Sequence, residues 1–168
     1  MNLWHHVKHL FEKDDGSLPD IYVENLSSEE TVAVYEWLMG QCEIAHNPKL
    51  WSVEEQLDVP IREVVNPARA FAEGRVETFR HCLAGLRSYG VALPELSVSV
   101  EADGLSFDYR MGKHWTERTV LALFELLRQV QRLAPQARIF QADEGGHSCP
   151  NVEFSEAFTA YVATHTDA

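Results

Sequence analysis

Cysteine, basic charge and long apolar runs are all scarce in this chain, and each scarcity narrows what it can be. Three cysteines, Cys42, Cys82 and Cys149, stand among 168 residues, an odd number at no recurrent spacing, so neither a disulfide framework nor a paired zinc knuckle is written into them. Reduced thiols and a cytoplasmic location are expected. No apolar stretch approaches the length that crosses a bilayer, and the opening MNLWHHVKHLF has neither a long apolar core nor a small-residue cleavage site, so neither a leader nor membrane association is expected. Lys and Arg number 14 against 26 Asp and Glu, a net charge of −12. Such a field repels phosphate backbones and excludes ordinary nucleic-acid binding. Nucleophile elbow, phosphate loop and paired-carboxylate motif are missing, as are internal repeats and low-complexity tracts.

What is present suits one domain spanning residues 1–168, with 45% hydrophobic content and enough length to bury a core without staples. The acidity is uneven. Residues 1–60 hold 12 acidic and 3 basic side chains, residues 61–138 hold 9 and 11, and the last 30 hold 5 acids with no Lys or Arg. Both ends are acidic and the middle is balanced, a distribution that attracts basic partners at long range.

The sharpest local signal is LSVSVEADGLSFDYRM, residues 96–111. Asp103-Gly104 between two alternating runs predicts a hairpin with a type I′ turn, pairing Val100 with Phe107, Val98 with Tyr109 and Leu96 with Met111 on an apolar face. The opposite face carries Glu101 with Ser106, Ser99 with Asp108 and Ser97 with Arg110, so a one-residue slip would bury every polar group.

Elsewhere, Asp20–Leu26 reads as the first strand. Ser27 and Glu30 form a capping-box pattern ahead of a helix carrying Val32, Tyr35, Leu38, Met39 and Cys42. Residues 46–65 are irregular, with VPIREVV as a short edge strand because Pro60 lacks a donor. Asn66-Pro67 opens a second helix along Ala72, Val76, Phe79, Leu83 and Leu86, closed at Gly90. Thr116 caps a long helix ending before Pro135, residues 137–142 form a last strand, and Phe154, Phe158, Tyr161 and Val162 mark a C-terminal helix. Leu3, Val7 and Leu10 place another at the N-terminus.

That order resembles the β-α-β-β-α-β ferredoxin-like superfold: an α+β domain with a four-stranded antiparallel sheet, helices on one face, an extra helix in the first crossover and an added helix at each end. The resemblance implies an open sheet face presenting Ser106, Asp108 and Arg110 beside Tyr22 and Glu24. The aromatics Phe107 and Tyr109 alternate to the core, which removes the stacking platform of RNA-binding sheets.

Three chemistries compete for the remaining signals. His5, His6 and His9 with His147 and Cys149 hint at metal, but no second close-spaced ligand pair exists, and neither metal nor cofactor is expected. Glu144, His147 and Cys149 form the candidate set for a small hydrolase or transferase, although a Gly-Gly turn explains the segment as well. The preferred expectation is a non-enzymatic binder of a basic protein partner, an immunity or inhibitor protein being an example of that physics. Its candidate residues are Asp14, Asp15, Asp20, Tyr22, Glu24, Glu29 and Glu30, with Glu101, Asp108 and Arg110 on the sheet face. A ligand-sensing homodimer is the third alternative. Trp51 reads as a local core plug or an interface anchor, with the plug preferred, and Trp115 as a hydrophobic staple.

Overall fold

Caps and turns in the sequence punctuate the described residues into fifteen strands and α-helices. The computed structural model describes residues 1–166. Helix α1 (Leu3–Val7) starts at Asn2, whose side chain accepts from the His5 amide, and runs into a 3-10 turn at Lys8–Leu10. Strand β1 (Asp20–Glu24) leads to α2 (Ser28–Met39), where the Ser27–Glu30 capping box closes reciprocally. Short strands β2 (Glu43–Ile44), β3 (Lys49–Ser52) and β4 (Leu57–Pro60) precede α3 (Pro67–Ala72). Then come β5 (Phe79–Ala84), β6 (Arg87–Ser88), β7 (Val91–Ala92), β8 (Leu96–Glu101) and β9 (Gly104–Tyr109). Helix α4 (Glu117–Leu133), strand β10 (Arg138–Ala142) and helix α5 (Val152–Thr164) complete the chain.

Among the described residues the result is a mixed α+β fold with five α-helices and a six-stranded antiparallel sheet in the order β10-β1-β9-β8-β5-β2. Six strands replace the four expected, and the reason lies in residues 72–86. Their apolar residues fit a helical stripe, but α3 stops at Ala72. Gly74 takes a positive φ of 73°, its amide bonds to the Phe71 carbonyl, and the Arg75 amide bonds to the Ala70 carbonyl. That Schellman arrangement is a helix terminator. Beyond it Phe79, His81 and Leu83 alternate inward at the strand period, and the pattern is visible only if His81 is counted with the core.

The β8–β9 register also differs from expectation, by two residues. Val100 faces Leu105, Val98 faces Phe107 and Leu96 faces Tyr109, and an even shift leaves every side chain on the face assigned to it. The turn is Ala102-Asp103, and neither residue has positive φ, so it is not type I′. Gly104 carries the unusual conformation, with φ 145°, and a Cβ there would run into the Val23 carbonyl of the neighbouring strand. Positive φ at both central residues occurs instead at Tyr89-Gly90, between β6 and β7.

Residues 46–65 are less irregular than expected. They form the β3–β4 ribbon, with Pro60 ending β4 and Ile61–Glu63 in a 3-10 turn. Leu50 and Ser52 turn inward and Trp51 outward, so the indole does not plug the core. Trp115 does pack inside: its Nε1 donates to the Arg110 carbonyl at 2.9 Å, and its ring lies against Phe11 and Tyr109.

One face of the sheet is the core wall. Ile21, Val23, Val98, Val100, Leu105, Phe107 and Tyr109 are all buried there. Helix α2 lies on it through Tyr35, whose hydroxyl meets His81 Nε2 at 2.9 Å. Phe124 of α4 packs on Phe154, Phe158 and Tyr161 of α5. Helix α1 docks on α5, where His6 meets Glu156 at 3.1 Å and His9 meets Glu153 at 2.6 Å. Between α4 and α5 the buried Glu125 carboxylate accepts from Arg128, Gln129 and the Tyr161 hydroxyl. Among the described residues, no helix is long and apolar enough to cross a membrane.

Candidate functional site

The other face of the sheet is polar. Pairing of β1 with β9 sets Asp20 opposite Asp108, Tyr22 opposite Ser106 and Glu24 opposite Gly104. β8 adds Ser97, Ser99 and Glu101 to this face, and β5 adds Arg80. Ser97, Ser106 and Asp108 are buried despite their polarity. The Arg80 side chain spans the strands between them: its Nε donates to Asp108 Oδ2 at 2.8 Å, and its Nη2 donates to Asp108 Oδ1 at 2.7 Å and to Ser97 Oγ at 3.0 Å. This is a two-point guanidinium–carboxylate pair.

Asp20 has no such neighbour. Its carboxylate accepts from the Tyr22 hydroxyl at 3.3 Å, and among the described residues no Lys or Arg forms an ion pair with it. Partial burial, followed by the charge of Asp108, pushes its pKa up to about 6. Both causes act against ionisation, since burial strips water from the anion and a like charge sits across the ladder. Tyr22 is affected in turn: burial, and then the Asp20 charge, push its phenol up to about 12. Two carboxyl groups therefore face each other across the ladder, and Arg80 pairs with only one of them.

Aromatic packing and the 143–150 loop frame this polar strip. Tyr22 stacks on Phe140 at 5.1 Å between centroids, and the Arg138 guanidinium lies 4.5 Å from the Phe140 ring centre on the same strand. The loop after β10 turns back so that His147 packs edge-on against Tyr22 at 4.7 Å and its Nε2 meets the Glu24 carboxylate. Beside it opens a cavity of about 420 Å³ whose polar lining includes Tyr22, Glu24, Glu101, Asp103 and His147. These groups suit a cation.

The other sequence candidates are placed elsewhere. Asp14 receives the Gly16 amide at 2.8 Å and Arg110 Nε at 2.9 Å, and Asp15 receives the Ser17 amide and hydroxyl. Arg110 follows the last residue of β9 and points into solvent beside Asp14 rather than onto the sheet face. Glu29 pairs with Arg69 at 2.7 Å, and Glu30 closes the α2 cap. Of the hydrolytic set, His147 turns to Glu24, Glu144 is exposed, and exposed Cys149 has the Ser148 hydroxyl 3.9 Å from its sulfur. Those three are not brought together. Burial keeps the Cys42 thiol protonated, its pKa pushed up to about 11, and all three cysteines are free thiols. Among the described residues, no group of three or more His, Cys, Asp or Glu is arranged to hold a metal ion.

Arg80 is the residue that sequence reasoning missed. A helical reading of residues 67–90 gives it no partner, whereas period-two alternation of Phe79, His81 and Leu83 sends Arg80 and Cys82 to the polar face. No protein-family model matches the chain, and neither does any curated protein or solved structure.

Proposed function

We propose that the protein is a non-enzymatic binding protein whose acidic, polar sheet face receives a basic protein partner in the cytoplasm. An immunity or inhibitor protein facing a nuclease-type toxin is the kind of pairing this charge suits. The observation that carries the reading is the Asp20–Asp108 pair served by Arg80 alone. A partner's Lys or Arg entering beside Asp20 supplies the cation that this carboxylate lacks and relieves the repulsion across the ladder. Long-range attraction by a chain of net charge −12 speeds encounter, and the desolvated pair provides selectivity. Free cysteines support a reducing compartment. We further assign the strands β10-β1-β9-β8 to a ferredoxin-like core extended at one edge by β5 and β2, an assignment supported by their antiparallel order.

The test is capture of basic proteins from the source organism by the immobilised chain. Wild type retains a basic partner that elutes with rising salt, as expected for charges screened beyond about 10 Å at 0.1 M salt. Asp20→Asn and the double variant Glu101→Lys/Asp103→Lys lose it, while Asp14→Lys/Asp15→Lys keeps it. Equal retention by all four proteins without salt dependence would overturn the proposal.

A further inference from the structure

The β3–β4 ribbon stands apart from the main sheet as a two-stranded sheet of its own. Residues 75–77 add a third strand-like segment: Ser52 bridges Val76, the Val53 amide bonds to the Arg75 carbonyl at 2.9 Å, and the Glu77 amide bonds to the Trp51 carbonyl at 3.1 Å. Leu50, Ser52, Val59 and Val76 form the buried side. Trp51 occupies the middle strand of the other side, 36% exposed. It has Asp58 directly across on β4 and Glu77 directly across on the 75–77 segment. Directly opposed side chains on adjacent strands lie about 5 Å apart, so an indole is bracketed by carboxylates on both neighbouring strands.

The charge around this indole is one-sided. Glu54 and Glu55 lie in the β3–β4 turn and Glu73 just before the third segment. Arg75 is engaged by Glu73 at 2.8 Å, which leaves Lys49, two residues before Trp51, as the other cation of the ribbon face. An aromatic π-face attracts a cation, flanking carboxylates fix it by charge-assisted bonds, and Trp is one of the side chains enriched at the energetic centres of protein interfaces.

We infer that Trp51, Asp58 and Glu77 form a receptor for a lysine- or arginine-bearing segment of a protein partner, the cationic group seated over the indole between the two carboxylates. The inference rests on the proposed basic partner for its charge, and adds a second contact surface remote in sequence from the Asp20–Asp108 face. The same constellation disfavours a nucleic-acid occupant, whose phosphates would meet Asp58 and Glu77.

The test uses the full chain, amide and indole NMR signals, and an acetylated, amidated tri-arginine peptide as probe, with tri-glutamate as control. The Trp51 indole resonance, identified by its loss in Trp51→Phe, moves saturably with tri-arginine and stays still with tri-glutamate. Trp51→Leu preserves the ribbon's charge yet weakens binding there about two- to five-fold, the value of an exposed cation–π contact, and Asp58→Asn/Glu77→Gln weakens it further. Unshifted resonances of the buried core in each variant report an intact fold. Equal affinity of wild type and Trp51→Leu at the ribbon overturns the inference, because charge alone would then explain the binding. Movement confined to the signals of Tyr22 and His147 overturns the ribbon site and leaves the sheet-face reading standing. Movement confined to Trp51 does the reverse, and movement at neither refutes both.

Discussion

Replacing Asp20 by Asn isolates the electrostatic defect of the polar sheet face in one measurement. The folded pKa of Asp20 is raised from 3.8 to about 6, so the native state keeps this proton longer than the unfolded chain does. Stability from this group is therefore fully present below pH 3.8 and is lost as pH rises to about 6. A shift of that size corresponds to about 3 kcal/mol. Because Asp20 is only part-buried, solvent screening reduces the expected value to roughly 1–2 kcal/mol. Asn keeps the shape, removes the charge facing Asp108 and leaves the Arg80–Asp108 pair in place. At pH 7.5 the variant should be more stable than wild type by that amount, raising its urea midpoint by about 0.5–1 M for a slope near 2 kcal/mol/M. At pH 3.5 the two proteins should coincide. His81, whose pKa burial lowers, tilts stability with the opposite sign, and it cancels in the difference between wild type and variant. A variant no more stable at pH 7.5, or a difference that does not change between pH 3.5 and 7.5, would refute the account of Asp20 as a carboxyl held without a cation.

Other perturbations test the frame around that site. Gly104→Ala should cost at least 2 kcal/mol, an order-of-magnitude figure for a strained positive-φ position whose Cβ meets the Val23 carbonyl, and hydrogen exchange should show β1 and β9 opening together. Glu125→Gln removes the carboxylate that Arg128 meets at 2.8 Å and that also accepts from Gln129 and the Tyr161 hydroxyl, and thermal or urea denaturation should register a loss of roughly 1–3 kcal/mol. Although burial opposes ionisation of Glu125, bonds from Arg128, Gln129 and Tyr161 outweigh it and hold the carboxyl below its ordinary range. Its contribution should therefore persist until strongly acidic pH. His81→Phe removes a buried imidazole with a depressed pKa, so the stability that wild type loses as pH falls below about 6.5 should be retained in the variant, set against the lost bond to Tyr35.

Signals that depend on neighbours in sequence were legible, and those that depend on neighbours in space were not. The Ser27–Glu30 box, the Thr116 cap and the alternation of residues 96–109 identify their elements, because each is a contact within a few residues. The faces of β8 and β9 follow for the same reason, even with the pairing displaced by two. Residues 72–86 defeated the reading since their spacing satisfies two periods at once, and only the main-chain bonds around Gly74 and the burial of His81 choose between them. Gln141 is similar: it reads as polar, yet it is fully buried and donates to the Tyr109 hydroxyl at 3.2 Å. Asp20, Tyr22, Glu24 and Asp108 were recognisable as candidates for the site because alternation assigns their face. Arg80 was not, since its role is created by a strand pairing between residues far apart in the chain. Asp14, Asp15, Glu29 and Glu30 look available in a linear count of charge, but local turns, a cap and two arginines already engage them.

Strand β1 lies between β9 and β10, and α1 rests on α5. During synthesis, β1 therefore lacks its strand neighbours, and α1 its helix neighbour, until segments much further along the sequence have been made. The apolar side of β1, Ile21 and Val23, and the Phe11 ring that stacks on Tyr109 wait uncovered while more than a hundred residues are added. The pairing of β1 depends on contacts between residues far apart in the chain, which form slowly. Nascent chains should remain protease-sensitive until the α5 segment has emerged. Partial products, with Ile21 and Val23 exposed, are the species that chaperones would hold and that aggregation would claim.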